Sequence, residues 1–224
     1  MKKILVYTFF ILTTVSHAFA QKDVAAKAIL AQVSQKYRAY PVIKSDFSFT
    51  IDNQQAGAKE TRNGTLISQS KTNKYKVTIY AAGSKADVEQ EIINDGKSQW
   101  TYLKKDKEVQ LSDANTGADG FNPAKIFTMY EHGYKYLYTG DQKIAGKVYQ
   151  SIDLSPEDDK QQFFKIRLLI DKVKKQIYSA LVFDKNGSKY TYTISNLTTP
   201  GNVPASTFTF DTKAHPGVEV VNLK

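Results

Sequence analysis

The chain has 224 residues, 41% hydrophobic and 24% charged, a balance typical of one globular domain. It contains no cysteine, which excludes disulfide staples and thiolate metal sites. The net charge of +9 favours acidic partners or anionic membrane surfaces, but the lysines are scattered over turns, so nucleic-acid binding is not predicted.

The first twenty residues have the three parts of a secretory signal peptide. Two lysines follow the first methionine, an apolar stretch runs to Val15, and Ala18-Phe19-Ala20 is a small-x-small cleavage site. The apolar stretch is shorter than the roughly 20 residues that cross a bilayer. We therefore predict a cleaved leader, residues 1–20, and a periplasmic mature protein, residues 21–224, that folds as one domain. Lacking cysteine, it has no residue for a lipoprotein-type anchor.

The first element after the leader is predicted to be a helix that begins at Asp23. Aspartate is a favourable N-cap, and apolar residues follow it at helical spacing. Lys36 and Arg38 suit the carbonyl end of a helix, and Pro41 stops it. The predicted apolar side consists of Ala26, Ile29, Leu30, Val33 and Tyr37.

Most of the remaining chain alternates apolar and polar residues, which is typical of strands. The dipeptides Asp95-Gly96 and Asn186-Gly187 lie between such runs and predict hairpins with type I′ turns. About eleven or twelve strands are predicted. The clearest runs are Ile43 to Ile51, Tyr75 to Ile79, Phe164 to Ile170, Tyr190 to Ile194, and the pair Phe208 and Phe210.

A second helix is predicted from Asn122 and Pro123 to Gly133, with Ile126, Phe127 and Tyr130 as its apolar stripe. Since the strands are apolar on one side only, the predicted fold is mainly β, a single curved antiparallel sheet or open barrel. The two helices would cover its apolar face.

Signatures of enzymes are mostly missing from the sequence. His132 and His215 are far apart, and there is no zinc-binding histidine pair, nucleophile elbow or phosphate-binding glycine loop. The acidic run Glu157 to Asp159 lacks the glycine of a calcium loop. Carboxylate pairs built across strands stay open at this stage. We predict that the protein is not an enzyme and uses no metal or cofactor.

Aromatic residues are abundant, with 14 tyrosines, 12 phenylalanines and one tryptophan. Many share the parity of their strands. They could fill an ordinary core, for which aromatic side chains are well suited, or line a ligand cavity, since barrels of eight or more strands can enclose one. Composition alone leaves both alternatives open.

Several motifs resemble those of LolA-type outer-membrane lipoprotein carriers. Asn94 to Tyr102 is similar to their Asp-Gly-Lys-x-x-Trp-x-Tyr hairpin, and Phe164-Lys165-Ile166-Arg167 and Tyr190-Thr191-Tyr192 also match. The ending Phe208-Thr209-Phe210, followed by Pro216-Gly217-Val218, fits too. The resemblance spans essentially the mature chain and points to members from Bacteroidota-like bacteria.

This resemblance implies an unclosed β-barrel with a small α-helical lid over a hydrophobic cavity. It implies a carrier that takes triacylated lipoproteins from an inner-membrane ATP-driven extractor and shuttles them to the outer membrane. Each buried methylene is worth about 0.8 kcal/mol, so such cargo needs shielding in water. Acylated lipoproteins and the extractor are the implied partners of a monomer, and an outer-membrane receptor is left open.

Strand parity and the resemblance together assign residues to the cavity and the lid. The expected role of these side chains is apolar shielding of acyl chains. Family members often carry an arginine after the second strand that binds the closed lid, which we call the latch arginine. This chain has Lys71 in that stretch, so no latch residue is assigned. The predicted lining is Phe47, Phe49, Tyr75, Val77, Trp100, Phe164, Ile166, Tyr190 and Tyr192, and the predicted lid is Ile126, Phe127 and Tyr130.

Two alternatives remain at this point. A periplasmic lipid or lipoprotein sensor of similar fold would use the same cavity, but such sensors usually add a second domain. An exported hydrolase would need a polar constellation in the pocket, whereas a carrier needs an apolar one.

Overall fold

The computed structural model describes residues 23–69, 71–114 and 126–224. The predicted signal peptide therefore lies outside the described residues. Among those that are described, no helix has the length and apolar character needed to cross a membrane. The elements are α1 (Val24–Arg38), β1 (Ile43–Asn53), β2 (Ala58–Gln69), β3 (Lys74–Tyr80), β4 (Val88–Asn94), β5 (Ser98–Leu103), β6 (Glu108–Asp113), β7 (Tyr134–Ile144), β8 (Lys147–Pro156), β9 (Phe163–Asp171), β10 (Gln176–Asp184), β11 (Lys189–Thr198) and β12 (Glu219–Asn222).

The twelve strands form one sheet in the order β12-β6-β5-β4-β3-β2-β1-β11-β10-β9-β8-β7. The sheet is not closed, because β7 and β12 remain as its two edges. Consecutive strands pair antiparallel within β1–β6 and within β7–β11, and the antiparallel pairing of β1 with β11 joins the two halves. The mainly β, unclosed architecture predicted from the sequence is confirmed. One exception to the antiparallel prediction is β12, which runs parallel to β6.

Helix α1 forms where the sequence predicted it. The Asp23 carboxylate accepts hydrogen bonds from the backbone N–H groups of Ala25 and Ala26, which caps the first turn. It also accepts one from Tyr138 N (2.9 Å), and this bond ties the start of the helix to the edge strand β7. All five residues of the predicted apolar side are buried: Ala26, Ile29, Leu30, Val33 and Tyr37.

The hairpins exist where they were predicted, but their turn type is different. Gly96 and Gly187 have positive φ, whereas Asp95 and Asn186 do not, so neither turn is type I′. The reason is side-chain capping: Asp95 Oδ1 accepts from Lys97 N and Ser98 N at 2.8 Å, which stabilises a longer loop. A two-residue loop with positive φ at both positions occurs instead at Ala145-Gly146, between β7 and β8.

Two sequence-predicted elements are corrected. The segment predicted as the second helix forms only 3₁₀ turns over residues 126–131, with Met129–Glu131 as its last turn. Its predicted start, Asn122 and Pro123, lies outside the described residues. The pair Phe208 and Phe210 is not a strand, because residues 205–208 form a 3₁₀ turn in the segment that leads to β12.

The sheet is covered on different faces in its two halves. We call the face that α1 covers the helix face, and its core includes side chains from α1, β1, β3 and β8–β11 in one cluster. On β3–β6 the opposite face is contacted by the segment that leads to β12, through the turn at residues 205–208 on β3 and through Phe210 and His215 on Tyr102 of β5. We call it the C-terminal face. There Ile93, Val109 and Phe208 are buried outside the main cluster. The molecule therefore has two cores that share one sheet.

Candidate functional site

The candidate site is the helix face beside α1, where most of the predicted lining residues lie. Directly paired residues of neighbouring strands point to the same face of a sheet, so the register assigns each side chain. Five of the nine predicted lining residues are buried in the main cluster. They are Phe47, Tyr75, Val77, Ile166 and Tyr192.

Phe49 and Tyr190 share this face but are only partly buried. Phe49 stacks on Tyr192, with ring centroids 4.5 Å apart, and lies 6.2 Å from the ring of Tyr190. Tyr190 and Tyr192 pair with Ile51 and Phe49 across β1 and β11. Burial raises the pKa of the Tyr192 phenol well above its ordinary value, so the hydroxyl stays neutral at physiological pH. These rings form a neutral aromatic surface at the edge of the core.

Two apolar residues of the helix face were missed by the sequence analysis. Ile79 pairs with Gly64, which pairs with Phe47, and Ile92 pairs with Val77. Both isoleucines are partly buried and pack on the main cluster. Ile92 is followed directly by Ile93, so alternation could not show which of the two faces inward. We refer to Phe49, Tyr190, Ile79 and Ile92 as the apolar row.

Trp100 does not belong to the helix face, so the sequence-based assignment was wrong. Trp100 pairs with Ile93 and Leu111. Val77, on the helix face, pairs with Ile92, so Ile93 and its partner Trp100 point to the opposite face of the sheet. Tyr102, two residues further along β5, contacts the C-terminal segment: its ring lies 5.4 Å from Phe210 and 4.6 Å from His215. Trp100 therefore lies on the C-terminal face.

Phe164 is also corrected. It is 52% exposed and lies 6.0 Å from the ring of Phe183. The register shifts here, since Phe183 pairs with Lys165 and Asp184 pairs with Phe163. The extra residue is a β-bulge, which inverts the side-chain alternation on one side of it. Phe163, which is 8% exposed, takes the buried position that parity gave to Phe164.

The predicted lid residues pack on α1. Ile126, Phe127 and Tyr130 are each at most 3% exposed, and the ring of Phe127 lies 4.6 Å from that of Tyr37. The Tyr37 hydroxyl accepts a hydrogen bond from Ile177 N (2.9 Å), which anchors the C-terminal half of α1 to β10. We call residues 126–131 the lid segment. Its apolar side chains extend the core that α1 begins.

An ion pair joins the lid segment to the end of α1. Arg38 donates to both carboxylate oxygens of Glu131, with Nη2 to Oε2 at 2.8 Å and Nε to Oε1 at 3.2 Å. These hydrogen bonds hold the pKa of Glu131 below its ordinary value, although partial burial opposes the effect. Glu131 is thus charged near neutral pH, and the pair is present there.

A groove of about 460 Å³ is bordered by α1, the lid segment and Tyr136 of β7. Tyr130 borders it, but none of the nine predicted lining residues does. Lys27, Arg38 and Glu131 give it a charged wall. The groove is therefore separate from the apolar row, which lies on the sheet.

Polar groups elsewhere form structural pairs. Burial disfavours ionisation of Asp153, but the hydrogen bonds and charge of Arg167, with help from Lys165, outweigh it and lower its pKa. His215 packs on Phe210 and Tyr102. Within residues 23–69, 71–114 and 126–224, no three His, Asp or Glu side chains come together in a way that could hold a metal ion.

The sequence matches the profile of the family described as "Outer membrane lipoprotein carrier protein LolA" over residues 39–211, more than half of the chain. The chain belongs to this family. No curated protein matches it in sequence.

Several solved structures are similar to this chain at low sequence identity. An uncharacterised conserved protein from Thermus thermophilus is 12% identical, with a TM-score of 0.56, over 88% of this chain and 99% of that one. A LolA superfamily protein from Nitrosomonas europaea has 14% identity and a TM-score of 0.46, over 84% and 98% of the two chains. The Mycobacterium tuberculosis lipoprotein LppX has 12% identity and a TM-score of 0.49, over 81% and 100%. The first similarity supports the fold only.

The LolA resemblance drew attention to a latch arginine after the second strand, where this chain has Lys71. In the structure, the arginine that binds the lid segment is Arg38, from the end of α1. The sequence contained this residue as a helix-ending cation, but its partner is 93 residues away, so local patterns could not indicate the pair.

Proposed function

We propose that this protein is a periplasmic carrier that holds the acyl chains of lipoproteins on the helix face and shuttles them from the inner to the outer membrane. The observation that carries the proposal is the apolar row in a member of the LolA family. These side chains are partly accessible beside a dry core, so an acyl chain can cover them without unfolding the sheet.

The energetics suit a lipid ligand. Each methylene that leaves water contributes about 0.8 kcal/mol, so even partial burial of one chain gives useful affinity. Phe49 and Tyr190 provide flat rings, while Ile79 and Ile92 provide branched aliphatic surface on the same face. The ligand surface we propose also includes the buried residues behind the row, namely Phe47, Tyr75, Val77, Ile166 and Tyr192.

Space for more than one chain requires the lid segment to move. Its side chains contact α1 through Tyr37 and Phe127 and through the Arg38–Glu131 pair. We propose that displacement of residues 126–131 exposes additional core surface to cargo, and that their return shields it. The ion pair is exposed on its arginine side and contributes little to stability, so the cost of opening the lid is set mainly by exposing Ile126, Phe127 and Tyr130 to water.

The partners follow from the same proposal. Cargo would come from an inner-membrane ATP-driven extractor, and an outer-membrane receptor would be an optional acceptor. Export would depend on the leader predicted at residues 1–20. No reaction is proposed at this site. The apolar row is aromatic and aliphatic, and Arg62, which pairs with Phe49 across β1 and β2, is engaged in ion pairs with Glu60 and Glu89.

A displacement assay tests the ligand class. A fluorescent fatty-acyl probe is expected to bind saturably to the mature protein and to be displaced by a triacylated lipopeptide. The same peptide without its acyl chains should not compete. Binding should show a negative heat-capacity change, as expected for burial of apolar surface. Equal competition by both peptides would refute acyl recognition.

A variant pair locates the site. Phe49→Glu places a charge in the apolar row, where an acyl chain cannot hydrate it, so affinity should fall by about tenfold or more. Leu137→Glu is the matched control, because Leu137 is 57% exposed and pairs with Asp153, on the face opposite to the row. Unchanged affinity in Phe49→Glu would show that the ligand binds elsewhere.

A further inference from the structure

One end of the sheet carries an unusual concentration of positive charge. The β7–β8 and β9–β10 turns lie side by side there, and their residues 141–148 and 171–176 contain five lysines and two aspartates. We call this surface the basic end. Its lysines are Lys143, Lys147, Lys172, Lys174 and Lys175.

Hydrogen bonds show that the two turns form one surface. Lys172 N donates to Val148 O at 3.0 Å, and the Lys172 ammonium pairs with Asp141 at 2.7 Å. Lys36, near the end of α1, donates to the carbonyl of Lys174 and adds a sixth cation. Both aspartates are engaged, since Asp171 caps its own turn. The positive charge of the basic end is therefore only partly neutralised.

An exposed valine stands among these lysines. Val173 is 88% exposed at the tip of the β9–β10 turn, and Val148 is 36% exposed beside it. The tip is held in place, because Asp171 Oδ1 accepts hydrogen bonds from Val173 N (3.0 Å) and Lys174 N (2.8 Å). A fixed apolar tip surrounded by cations would suit a surface that is anionic outside and apolar just beneath.

The opposite end of the same strands lacks this excess of positive charge. Its two connections, residues 157–162 and 185–188, contain Glu157, Asp158 and Asp159 against Lys160 and Lys185, and Lys185 donates to the carbonyl oxygen of Asp159. The positive charge of the β7–β10 half is therefore concentrated at the basic end. In the field of an anionic surface, the basic end would turn toward it.

We infer that the basic end is a docking surface for anionic lipid bilayers. Lysines close to such a surface each contribute about 1 kcal/mol, and long lysine side chains can keep their charges at the headgroups while an apolar neighbour enters. Val173 provides that neighbour. This inference goes beyond the carrier proposal, because it concerns the encounter with a membrane and not the binding of acyl chains.

The inference is tested by sedimentation of the mature protein with vesicles. Vesicles of phosphatidylcholine with about one third phosphatidylglycerol are compared with vesicles of phosphatidylcholine alone, at low salt. We expect binding to the anionic vesicles only, and its loss at about 0.5 M salt, where screening is strong. The triple variant Lys143→Gln, Lys147→Gln, Lys174→Gln should partition about 100-fold less. Val173→Ser should reduce partitioning severalfold in the otherwise unchanged protein.

A charge-matched control separates this surface from net charge alone. Lys71→Gln, Lys85→Gln, Lys105→Gln removes the same charge from other exposed turns and should keep most of the binding. Equal losses in the two triple variants, or equal binding to neutral vesicles, would overturn the inference. Binding to soluble polyglutamate but not to vesicles would also overturn it and indicate an acidic protein partner. Acyl-probe affinity should be the same in all these variants. If the wild-type protein does not bind the acyl probe, that result would contradict the carrier proposal and leave the docking inference unaffected.

Discussion

Gly64 lies directly opposite Phe47 in the pairing of β1 with β2, and the phenylalanine ring occupies the space above it. A Cβ atom at residue 64 would lie 2.5 Å from Phe47 Cζ and 2.7 Å from the carbonyl oxygen of Thr78. The backbone φ is not the constraint here. Glycine is required because an aromatic side chain crosses the strand.

We predict that Gly64→Ala destabilises the protein by about 1–3 kcal/mol, the usual cost of overpacking. The added methyl must move Phe47 or the backbone of β3, since both lie within van der Waals distance. Urea unfolding would measure the effect. Gly57→Ala is a control for crowding, because no atom lies within 4 Å of its Cβ position. It is an imperfect control, because the positive φ of Gly57 adds backbone strain of its own. A neutral Gly64→Ala would contradict the close contact.

A second prediction separates core from ligand surface. Phe47 is 5% exposed, so Phe47→Ala should cost about 3–5 kcal/mol of stability. Phe49 is only partly buried, so Phe49→Ala should cost less stability and more acyl-probe affinity. The urea midpoint and the probe affinity are measured for both variants. If both variants lose stability while their acyl-probe affinity is unchanged, Phe49 is ordinary core and not part of a ligand surface.

At the scale of elements, the lid segment is connected to α1 by apolar packing and one ion pair. Tyr37 and Phe127 provide the packing, and Arg38 and Glu131 the charges. Arg38 lowers the pKa of Glu131, so the pair stabilises the packed lid above the unfolded-state pKa of Glu131. That contribution is lost as the pH falls through the lowered folded-state pKa.

We therefore predict that Glu131→Gln loosens residues 126–131 near neutral pH. Their amide hydrogens should exchange severalfold faster than in the wild type, after correction for intrinsic rates. The difference should shrink with added salt and disappear in acid, where the wild-type carboxylate is also neutral. A difference that persisted in acid would mean that the glutamine perturbs the lid by another route.

At the scale of the whole molecule, one sheet links two cores. Phe208 is 2% exposed in the core of the C-terminal face, far in sequence from the strands it covers. We predict that Phe208→Ala costs about 3–5 kcal/mol yet leaves acyl-probe affinity unchanged, since the apolar row lies on the other face. Calorimetry should still show one transition, because the sheet is continuous. Two separate transitions would mean that the cores unfold independently.

Family membership, the mainly β fold and helix α1 could be predicted from the sequence. Period-two alternation and capping are local properties, and the five residues of the apolar side of α1 follow directly from them. The same alternation placed Phe47, Phe49, Tyr75, Val77, Ile166, Tyr190 and Tyr192 on one face, as the register has them.

Only the tertiary structure decided where Trp100, Phe164 and the lid lie. Alternation states that a strand has an apolar side but not which side faces α1, and β5 is covered on the other side by residues that come about 100 positions later. At Phe164 a β-bulge changes which residues of β9 face inward, and the local sequence does not indicate the bulge. The lid segment forms 3₁₀ turns whose apolar residues pack on α1. Each of these outcomes depends on contacts between distant parts of the chain, and such contacts leave no periodic trace in the sequence.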